Sequence, residues 1–263
     1  MKALVTGASG FVGKYLIEHL EESGDDVFGT DIVSGGPDLG DPVGLADLFH
    51  DVSPEVIFHL AGQADVGHSW NAANETFRSN AEGTLNVLTA ARSADVARII
   101  TVTSADIYGI VSPEDLPLSE DAPFRPVSPY SASKASADLL ALQAYLGHKQ
   151  EVIRVRAFNH LGPGQSDKFV CSALAARIAN NELYGVSKLG VGNLAAKRDF
   201  TDVRDVVRAY RLLALTGKSG EAYNVCSGVS ISIERIASEL LALSTMPMEL
   251  VVDPDLLRPI DLP

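Results

Sequence analysis

The chain has 263 residues, 46% of them hydrophobic and 21% charged, a composition that is typical of a folded globular protein and excludes disordered and collagen-like chains. Its formal net charge of −13 disfavours a nucleic acid partner, because binding a phosphate backbone requires a surface rich in lysine and arginine. The N-terminal segment has no signal-peptide pattern and no apolar run approaches the roughly 18 residues of a membrane span, so we expect a cytoplasmic protein with no membrane partner.

Short apolar strands and amphipathic helices alternate through the first part of the chain. Strands are predicted where apolar residues run together between turn residues, and helices where apolar residues recur with a helical period. In chain order, the predicted elements are strand Ala3–Thr6, helix Phe11–Glu22, strand Asp26–Thr30, helix Pro42–Asp51, strand Val56–Leu60, helix Asn74–Ser93, strand Arg98–Val102, helix Tyr130–His148 and strand Glu151–Ala157. This alternation predicts an α/β protein with a parallel sheet covered by helices on both faces.

The pattern changes after Ala157, where loops containing glycine and proline predict a smaller C-terminal lobe. We expect a helix over Asp202–Leu215 and a strand over Ala222–Val225 to return to the main sheet, and a helix over Ser230–Leu243 to belong to the lobe. The predicted boundaries are residues 1–158 together with 201–228 for the main domain, and residues 159–200 together with 229–263 for the lobe.

A glycine-rich loop lies between the first predicted strand and the first predicted helix. Gly7, Gly10 and Gly13 form a GxxGxxG pattern that includes Phe11 and Val12. Glycine is needed where the chain turns tightly and where a pyrophosphate approaches backbone N–H groups at a helix N-terminus. Because this loop also opens a βαβ unit, it predicts a dinucleotide-binding site rather than a packing turn alone.

An acidic residue follows the second predicted strand. The carboxylate of Asp31 can accept hydrogen bonds from an adenosine ribose, and its charge repels a 2′-phosphate. Asp31 therefore favours NAD(H) as the cofactor, with NADP(H) as the alternative. An aspartate at a strand end can also be a solvated cap, and this interpretation stays open.

A tyrosine and a lysine lie one helical turn apart in the motif YSASK. Tyr130 and Lys134 thus present a phenol and an ammonium on one helix face. We expect the positive charge to lower the pKa of the Tyr130 phenol and to make it an acid–base group near neutral pH. Ser104 ends a predicted strand at the sheet edge where ligands bind in open α/β folds, so its hydroxyl is expected to bind a sugar oxygen; the alternative is a simple strand-end cap.

The cysteine content gives no indication of a metal site. Cys171 and Cys226 are too few for a disulfide framework or a zinc site, so no metal is predicted. Both are expected to be buried, as small apolar residues are.

Five motifs together are similar to those of the extended short-chain dehydrogenase/reductase family, and the similarity runs through nearly the whole chain. The motifs are the glycine loop, HLAGQADV (His59–Val66), NAEGT (Asn80–Thr84), TSADIYG (Thr103–Gly109) and YSASK (Tyr130–Lys134). The resemblance implies a Rossmann-type fold, an NAD(P) cofactor and the catalytic residues Ser104, Tyr130 and Lys134, with Lys134 also binding the nicotinamide ribose. The further cofactor contacts that it implies are Asp38, Leu39, Leu60, Ala61 and Gly62. Asn80 resembles the family's helix asparagine, although a helix-interior Asn bonded to local backbone is the alternative.

Within that family, three downstream segments resemble the branch that acts on GDP-sugars, which includes GDP-mannose 4,6-dehydratases and GDP-6-deoxy-4-keto-mannose reductases. They are FNHLGPGQ (Phe158–Gln165), VGNLAAKRDFTDVRD (Val191–Asp205) and LRPIDLP (Leu257–Pro263). The GDP-sugar contacts implied for the lobe are Asn159, Val170, Gly192, Asn193, Ala196, Arg198 and Arg258. Arginine offers several N–H donors to a diphosphate, although each arginine alone could be a surface ion-pair partner. His160 is interpreted as structural.

The residues around Ser104 bear on the reaction. Dehydratases of this branch carry the pattern S-T-S-E, and the aligned positions here are Thr103, Ser104, Ala105 and Asp106. Loss of the second serine and the shorter acid disfavour dehydration, although Asp106 remains a candidate acid–base residue. Reduction of a ketone needs only a hydride from NAD(P)H and a proton from Tyr130, with Ser104 polarising the ketone oxygen.

We therefore predict an NAD(P)H-dependent oxidoreductase that reduces the C4 ketone of a GDP-4-keto-6-deoxy-hexose. Three alternatives stay open. Two are enzymes that use the same three residues, a GDP-mannose 4,6-dehydratase and a nucleotide-sugar 4-epimerase. The third is a non-catalytic nucleotide sensor on the same fold, which would be expected to lack Tyr130 or Lys134.

The resemblance also implies a homodimer formed through the two long helices, Asn74–Ser93 and Tyr130–His148. Their apolar faces agree with this, but burial in the core would explain those faces as well. Members of the family generally continue beyond the LRPIDLP segment. Either a shortened chain or a minimal lobe is compatible with the end at Pro263.

Overall fold

The structure is a computed structural model that describes residues 1–256. Its strands are β1 (Lys2–Thr6), β2 (Asp26–Thr30), β3 (Val56–His59), β4 (Arg98–Ser104), β5 (Val152–Ala157), β6 (Asn159–Leu161), β7 (Lys188–Val191), β8 (Lys197–Asp202), β9 (Ala222–Val225), β10 (Ser230–Ser232) and β11 (Glu249–Val252). Its α-helices are α1 (Phe11–Glu22), α2 (Pro42–Val52), α3 (Val66–Ser69), α4 (Ala73–Phe77), α5 (Gly83–Ser93), α6 (Pro129–His148), α7 (Val170–Tyr184), α8 (Val203–Thr216) and α9 (Ile233–Ala242).

The chain divides into two compact units. The first consists of Met1–Phe158 and Asp202–Val225, and the second consists of Asn159–Thr201 and the residues from Cys226 onward. Within residues 1–256, no helix is both long and apolar enough to cross a membrane.

The first unit is built on a parallel sheet. Among the described residues this sheet has six strands, in the order β2-β1-β3-β4-β5-β9, and every adjacent pair is parallel. All residues of β3 and β5 are buried, as expected for inner strands of a sheet covered on both faces, whereas the edge strand β2 is mostly exposed. Because all six strands run the same way, their carboxyl ends meet at one edge, where Thr6 pairs with His59 and Ser104 with Ala157.

Helices cover both faces of this sheet. Alternate residues of each strand enter different cores: Val5 packs with α1 and α8, whereas its neighbour Leu4 packs with α2, α5 and α6. Leu16 and Tyr210 are wholly buried in the first core, and Phe49 is wholly buried in the second. The predicted α/β class, a doubly wound parallel sheet, is confirmed.

A buried ionic cluster fixes α6 to the sheet. Asp138 of α6 is fully buried, and its carboxylate accepts from Arg154 Nη1 at 2.7 Å and from Arg156 Nε at 3.0 Å. Both arginines point from the same face of β5, since they are two positions apart in a strand. The Arg156 guanidinium also lies 4.8 Å from the centroid of the Phe124 ring. This cluster fixes the position of α6, the helix that carries Tyr130, along strand β5.

The second unit has its own small core. Its strands form an antiparallel β10-β8 pair with β6 beside β8, and a parallel β11-β7 pair. Helices α7 and α9 pack over them through Leu174, Ile178 and Ala237, each of which is buried.

Several predicted elements need correction. The predicted helix Ser230–Leu243 starts only at Ile233, because Ser230–Ser232 pairs with β8 and Ser232 caps the helix by accepting from the N–H of Arg235. The predicted strand Val56–Leu60 ends at His59, where the chain turns into the loop that follows β3. Helix α7 and strands β6, β7, β8, β10 and β11 had not been predicted, because the short apolar runs of a small lobe give weak periodicity.

Two other corrections concern a helix and a cysteine. The predicted helix Asn74–Ser93 is interrupted by a five-residue π-helical segment, Arg78–Glu82, which joins α4 to α5. The π turn widens the helix locally without ending it, so the sequence predicted one continuous helix. Cys226 is exposed and Cys171 is half-buried, so the expectation that both cysteines are buried was wrong.

Candidate active site

The glycine loop is packed so tightly that side chains are excluded from it. Gly7 has φ of +72°, and a Cβ there would lie 2.8 Å from the backbone N of Ala61. A Cβ on Gly13 would collide with the carbonyl oxygen of Gly7. Gly10 is the N-cap of α1, so no N-cap side chain fills the space in front of the first residues of the helix, Phe11 and Val12. A backbone cradle at a helix N-terminus suits a pyrophosphate, so the observed loop fits the dinucleotide predicted for it.

The acidic residue after β2 forms a cap. The carboxylate of Asp31 accepts from the backbone N of Ser9 at 3.2 Å and from that of Val33 at 3.0 Å. The capping interpretation of Asp31 is therefore realised, and the carboxylate also ties β2 to the glycine loop. A carboxylate has about four acceptor positions, so these two bonds leave capacity for ribose hydroxyls.

Two of the cofactor contacts implied by the resemblance lie just before α2. The carboxylate of Asp38 accepts from the backbone N of Gly40 at 2.6 Å. Leu39 packs against Gly83, where a Cβ would lie 2.9 Å from the leucine side chain, and its carbonyl accepts from Asn86 Nδ2 at 2.8 Å. The backbone of this segment is thus fixed against α5.

The loop after β3 lies between the glycine loop and α6. Leu60 packs against the core of the α1 side, and the backbone N of Ala61 donates to Thr6 Oγ1 at 3.2 Å. Gly62 has φ of +152°, and a Cβ there would lie 2.6 Å from Asn80 Oδ1 and 3.7 Å from Lys134 Nζ. Glycine is required at this position because the backbone passes directly against both side chains.

The start of α6 is held by a capping box. Ser128 accepts from the backbone N of Ser131 at 3.0 Å, and the Ser131 hydroxyl accepts from the backbone N of Ser128 at 2.9 Å. Pro129 occupies the first helical position, where its missing N–H costs nothing. Tyr130 therefore stands in a rigid first turn.

Ser104, Tyr130 and Lys134 come together at the carboxyl end of β4. The Ser104 side chain lies near enough to the Tyr130 phenol to lower its pKa, and Lys134 Nζ donates to the carbonyl of Val102 at 3.2 Å. Tyr130 is 8% exposed and Lys134 is 9% exposed. The Ser104 hydroxyl accepts from the backbone N of Asp106 at 3.2 Å, which makes it the cap of a short 3-10 turn.

Burial dominates the electrostatics of this group. It raises the pKa of the Tyr130 phenol well above its usual range, and the charge of Asp106 raises this pKa further, while the Ser104 side chain acts in the opposite direction. Burial also lowers the pKa of Lys134 to about 8. The expectation of a lowered pKa for Tyr130 was wrong, because burial disfavours the phenolate and the negative charge of Asp106 acts in the same direction. Tyr130 is thus a protonated phenol at neutral pH, suited to donate a proton.

Asn80 has non-local partners, unlike the local backbone bond given as the alternative for it. Its Oδ1 accepts from the backbone N of Gln63 at 2.8 Å, and its Nδ2 donates to Ser133 Oγ at 2.9 Å. Three other buried polar residues join this network and had not been singled out: Thr6, His59 and Thr84. A polar residue at the end of an otherwise apolar strand, as Thr6 and His59 are, was the signal available in the sequence.

The predicted GDP contacts occupy the second unit. Asn159 lies in β6 and Arg198 in β8, two neighbouring strands of one sheet. Asn193 Oδ1 accepts from the backbone N of Ala195 at 3.0 Å, so this asparagine shapes its own turn. Of the remaining predicted contacts, Val170 is the first residue of α7 and Ala196 is buried in the small core. Gly192 lies against Leu256, since a Cβ on Gly192 would be 2.8 Å from the Leu256 carbonyl oxygen. Arg258 lies outside the described residues.

His160 also lies in β6, and its carbonyl accepts from Gln165 Nε2 at 2.9 Å. This bond closes the turn that contains Gly164, which has φ of +83°. This contact is made by the backbone carbonyl of His160.

The comparisons with known proteins agree with this geometry. The family model described as "NAD dependent epimerase/dehydratase family" matches residues 3–226. The chain is 36% identical to GDP-6-deoxy-D-mannose reductase of Pseudomonas aeruginosa, over 98% of this chain and 84% of the relative.

Two solved structures share the fold over the whole chain and 88% of their own length. One is RMD from Pseudomonas aeruginosa complexed with NADPH, with a TM-score of 0.89 and 34% identity. The other is UDP-glucose 4-epimerase from Thermus thermophilus complexed with NAD, with a TM-score of 0.87 and 27% identity. The resemblance to extended short-chain dehydrogenases/reductases and the Rossmann-type fold are confirmed. The chain belongs to the NAD dependent epimerase/dehydratase family.

Proposed function

We propose that this enzyme uses NAD(P)H to reduce the C4 ketone of a GDP-4-keto-6-deoxy-hexose. The observation that carries the proposal is the placement of Tyr130 and Lys134, which are 8% and 9% exposed and lie one helical turn apart at the start of α6, beside Ser104 at the end of β4. Reduction of a ketone requires a proton donor at the developing alkoxide, and a neutral phenol supplies one. The identity to a GDP-6-deoxy-D-mannose reductase supports the same substrate class.

In this proposal the residues of the first unit bind the cofactor and carry the chemistry. The glycine loop holds the pyrophosphate on backbone N–H groups, Asp31 accepts from the adenosine ribose, and Lys134 binds the nicotinamide ribose. The reduced nicotinamide supplies the hydride. Tyr130 donates its proton to the ketone oxygen, and Ser104 polarises that oxygen. The asparagines and arginines of the second unit bind the GDP portion.

The neighbours of Ser104 disfavour dehydration. A 4,6-dehydratase must also remove the C5 proton and expel the C6 hydroxyl, so it needs a further acid–base residue within reach of the sugar. Here Ala105 has no proton to exchange, and Asp106 lies in the 3-10 turn capped by Ser104, where its charge acts on Tyr130. We propose that the negative charge of Asp106 helps to keep the Tyr130 phenol protonated.

The deciding experiment supplies NADPH or NADH with GDP-4-keto-6-deoxy-mannose and follows both the reduced nicotinamide and the sugar. We expect one nicotinamide oxidised for each ketone reduced, with a single configuration at C4 in the product. Interconversion of C4 epimers with no net oxidation of nicotinamide would instead identify an epimerase. Release of a 4-keto sugar from GDP-mannose would identify a dehydratase.

Tyr130→Phe is the matched variant for this assay. It removes only the hydroxyl, so turnover should fall by a factor of roughly 10² to 10⁴ while the cofactor still binds. Full activity in this variant would contradict the role given to Tyr130, and unchanged cellular function without turnover would favour the nucleotide-sensor alternative.

We further propose NAD(H) as the preferred cofactor and a homodimer as the assembly. The first rests on the charge of Asp31 at the end of β2. The second rests on apolar side chains left exposed on α5 and α6: Leu85 is 42% exposed, Leu139 55% and Leu146 57%. Leu139 and Leu146 are two helical turns apart and share one face, a spacing that suits helix pairing between two copies.

A further inference from the structure

A continuous line of buried hydrogen bonds connects the end of β1 to the helix that carries Tyr130. Its centre is His59, which is 2% exposed. The ring Nδ1 lies 2.9 Å from Thr6 Oγ1, and the ring Nε2 lies 3.1 Å from Thr84 Oγ1. Both threonines are buried as well. A buried polar group that keeps all its hydrogen bonds is strongly restricted in orientation.

The number of available protons fixes the state of His59. The Thr84 hydroxyl donates to the backbone carbonyl of Asn80 at 2.6 Å, so its oxygen must accept from the ring Nε2–H. On the other side of the ring, the N–H of Ala61 donates to Thr6 Oγ1 at 3.2 Å. The hydroxyl proton of Thr6 can then be donated to His59 Nδ1. Every donor finds an acceptor only when His59 is neutral and carries its proton on Nε2.

The line continues through Asn80 to both sides of the proposed cofactor site. The Asn80 amide donates to the carbonyl of Gln63 at 3.0 Å and accepts from the N–H of the same residue at 2.8 Å. It also donates to Ser133 Oγ at 2.9 Å, and the Ser133 hydroxyl donates to the carbonyl of Tyr130 at 2.7 Å. Asn80 therefore joins the loop after β3 to the first turns of α6.

The side chain of Asn80 packs against the backbone of Gly62, so its position affects where Gly62 lies. As described above, the backbone of Gly62 passes so near that a Cβ would lie 2.6 Å from Asn80 Oδ1 and 3.7 Å from Lys134 Nζ. A shift of Asn80 by a few tenths of an ångström would move Gly62 relative to Lys134. These two residues border the proposed site for the nicotinamide ribose.

We propose that His59 is a positioning residue, which through Thr84 and Asn80 sets the spacing between Gly62 and Lys134 and thereby the affinity for the nicotinamide cofactor. The inference rests on the proposed function only in placing the nicotinamide cofactor between Gly62 and Lys134. Burial and the charge of Lys134 lower the pKa of His59 to about 3, so the ring is neutral between about pH 5 and pH 8. Thr84 is 3% exposed, and its hydroxyl contacts the His59 ring and the Asn80 carbonyl.

Substitution of Thr84 tests this role. Thr84→Val keeps the volume and removes the hydroxyl that links His59 to Asn80, so the dissociation constant for NADPH or NADH should rise about tenfold. Thr84→Ser restores the hydroxyl and should restore the affinity. The measurement is a fluorescence titration with cofactor alone, accompanied by thermal unfolding.

Thr101→Val is the matched control. Thr101 is 1% exposed and its hydroxyl has no hydrogen-bond partner within residues 1–256, so its removal should leave cofactor affinity unchanged. If Thr84→Val binds cofactor as tightly as the unmodified enzyme, or if Thr101→Val weakens binding equally, the positioning role is wrong. A general loss of core packing would affect both variants.

Nitrogen NMR of the His59 ring tests the same inference in the unmodified protein. We expect a proton on Nε2, none on Nδ1 and no titration between about pH 5 and pH 8. A proton on Nδ1, or titration near an ordinary histidine pKa, would overturn the proposal even if the Thr84 variants fail to fold. Neither measurement uses a sugar, so failure of the proposed reduction leaves both results decisive.

Discussion

Asp31 combines a structural bond with a proposed role in cofactor choice, and a single substitution can separate the two. Asp31→Asn keeps an oxygen that can accept from the backbone of Val33 or Ser9 but removes the charge. Because the charge is what repels a 2′-phosphate, the ratio of kcat/KM for NADPH to that for NADH should rise, by roughly tenfold or more. Steady-state kinetics with the two cofactors measures this ratio. An unchanged ratio would mean that Asp31 acts only as a cap.

The loop after β3 depends on one glycine. Gly62→Ala places a Cβ against Asn80 Oδ1 in a backbone conformation that L-residues rarely adopt, so both cofactor affinity and stability should fall, the latter by roughly 1 to 3 kcal/mol. Gly24→Ala is the control, since Gly24 has φ of +79° but no atom within 4 Å of an added Cβ. It should cost about 1 kcal/mol and leave binding unchanged. Cofactor titration and urea unfolding of both variants distinguish the two cases.

At the scale of elements, the position of α6 on the sheet depends on the buried carboxylate of Asp138. Asp138→Asn leaves Arg154 and Arg156 buried without their counter-charge, which should lower the free energy of unfolding by roughly 3 to 5 kcal/mol. The exposed pair between Asp205 and Arg208 provides the control, because Asp205→Asn should cost less than about 1 kcal/mol. Urea unfolding measures both, and equal losses would contradict the importance given to burial.

Element boundaries in the first unit could be predicted because one chemical pattern governs them. Strands β2 and β9 and helix α1 begin and end where the apolar pattern indicated. The π-helical segment Arg78–Glu82 could not be predicted in this way, since it is held by the contacts of Asn80 with Gln63 and Ser133, which are distant in sequence. Strands of the second unit were missed for a related reason: they are short and pair only with one another.

For the whole molecule, the neutral His59 makes stability depend on pH. Its pKa is lowered from 6.5 to about 3 by burial, so between these values the unfolded chain binds a proton that the folded chain does not. The free energy of unfolding must therefore fall as the pH decreases through this window, by about 2 kcal/mol from pH 7 to pH 5, and the contribution of this group changes little above pH 7.

Urea unfolding at pH 5 and pH 7 tests this dependence. The histidine contribution is obtained as the difference between the unmodified protein and His59→Gln, because carboxylates add their own dependence to both. His50→Gln, at an exposed position of α2, should keep the full dependence. If His59→Gln retains it too, His59 is not the group responsible.

The proposed dimer is a second property of the whole molecule. Arginine in place of both Leu139 and Leu146 should convert a dimer into a monomer, since charges on the paired faces could not be desolvated. Leu212→Arg, at a residue of α8 that is 59% exposed, should leave the assembly unchanged. Sedimentation velocity distinguishes the species. A monomeric unmodified protein, or a doubly substituted protein that remains dimeric, would refute the proposed face.

Local information in the sequence was sufficient for the class of the protein. The alternation of apolar strands and helices, the glycine loop and the YSASK motif are properties of neighbouring residues, and they determined the parallel sheet, the dinucleotide-type loop and the phenol–ammonium pair. Tertiary structure decided what depends on burial and distant contacts. It raised the pKa of the Tyr130 phenol, because burial disfavours the phenolate and the charge of Asp106 acts in the same direction. It also joined Thr6, His59 and Thr84 into one line of hydrogen bonds, because the folded sheet excludes water from all three.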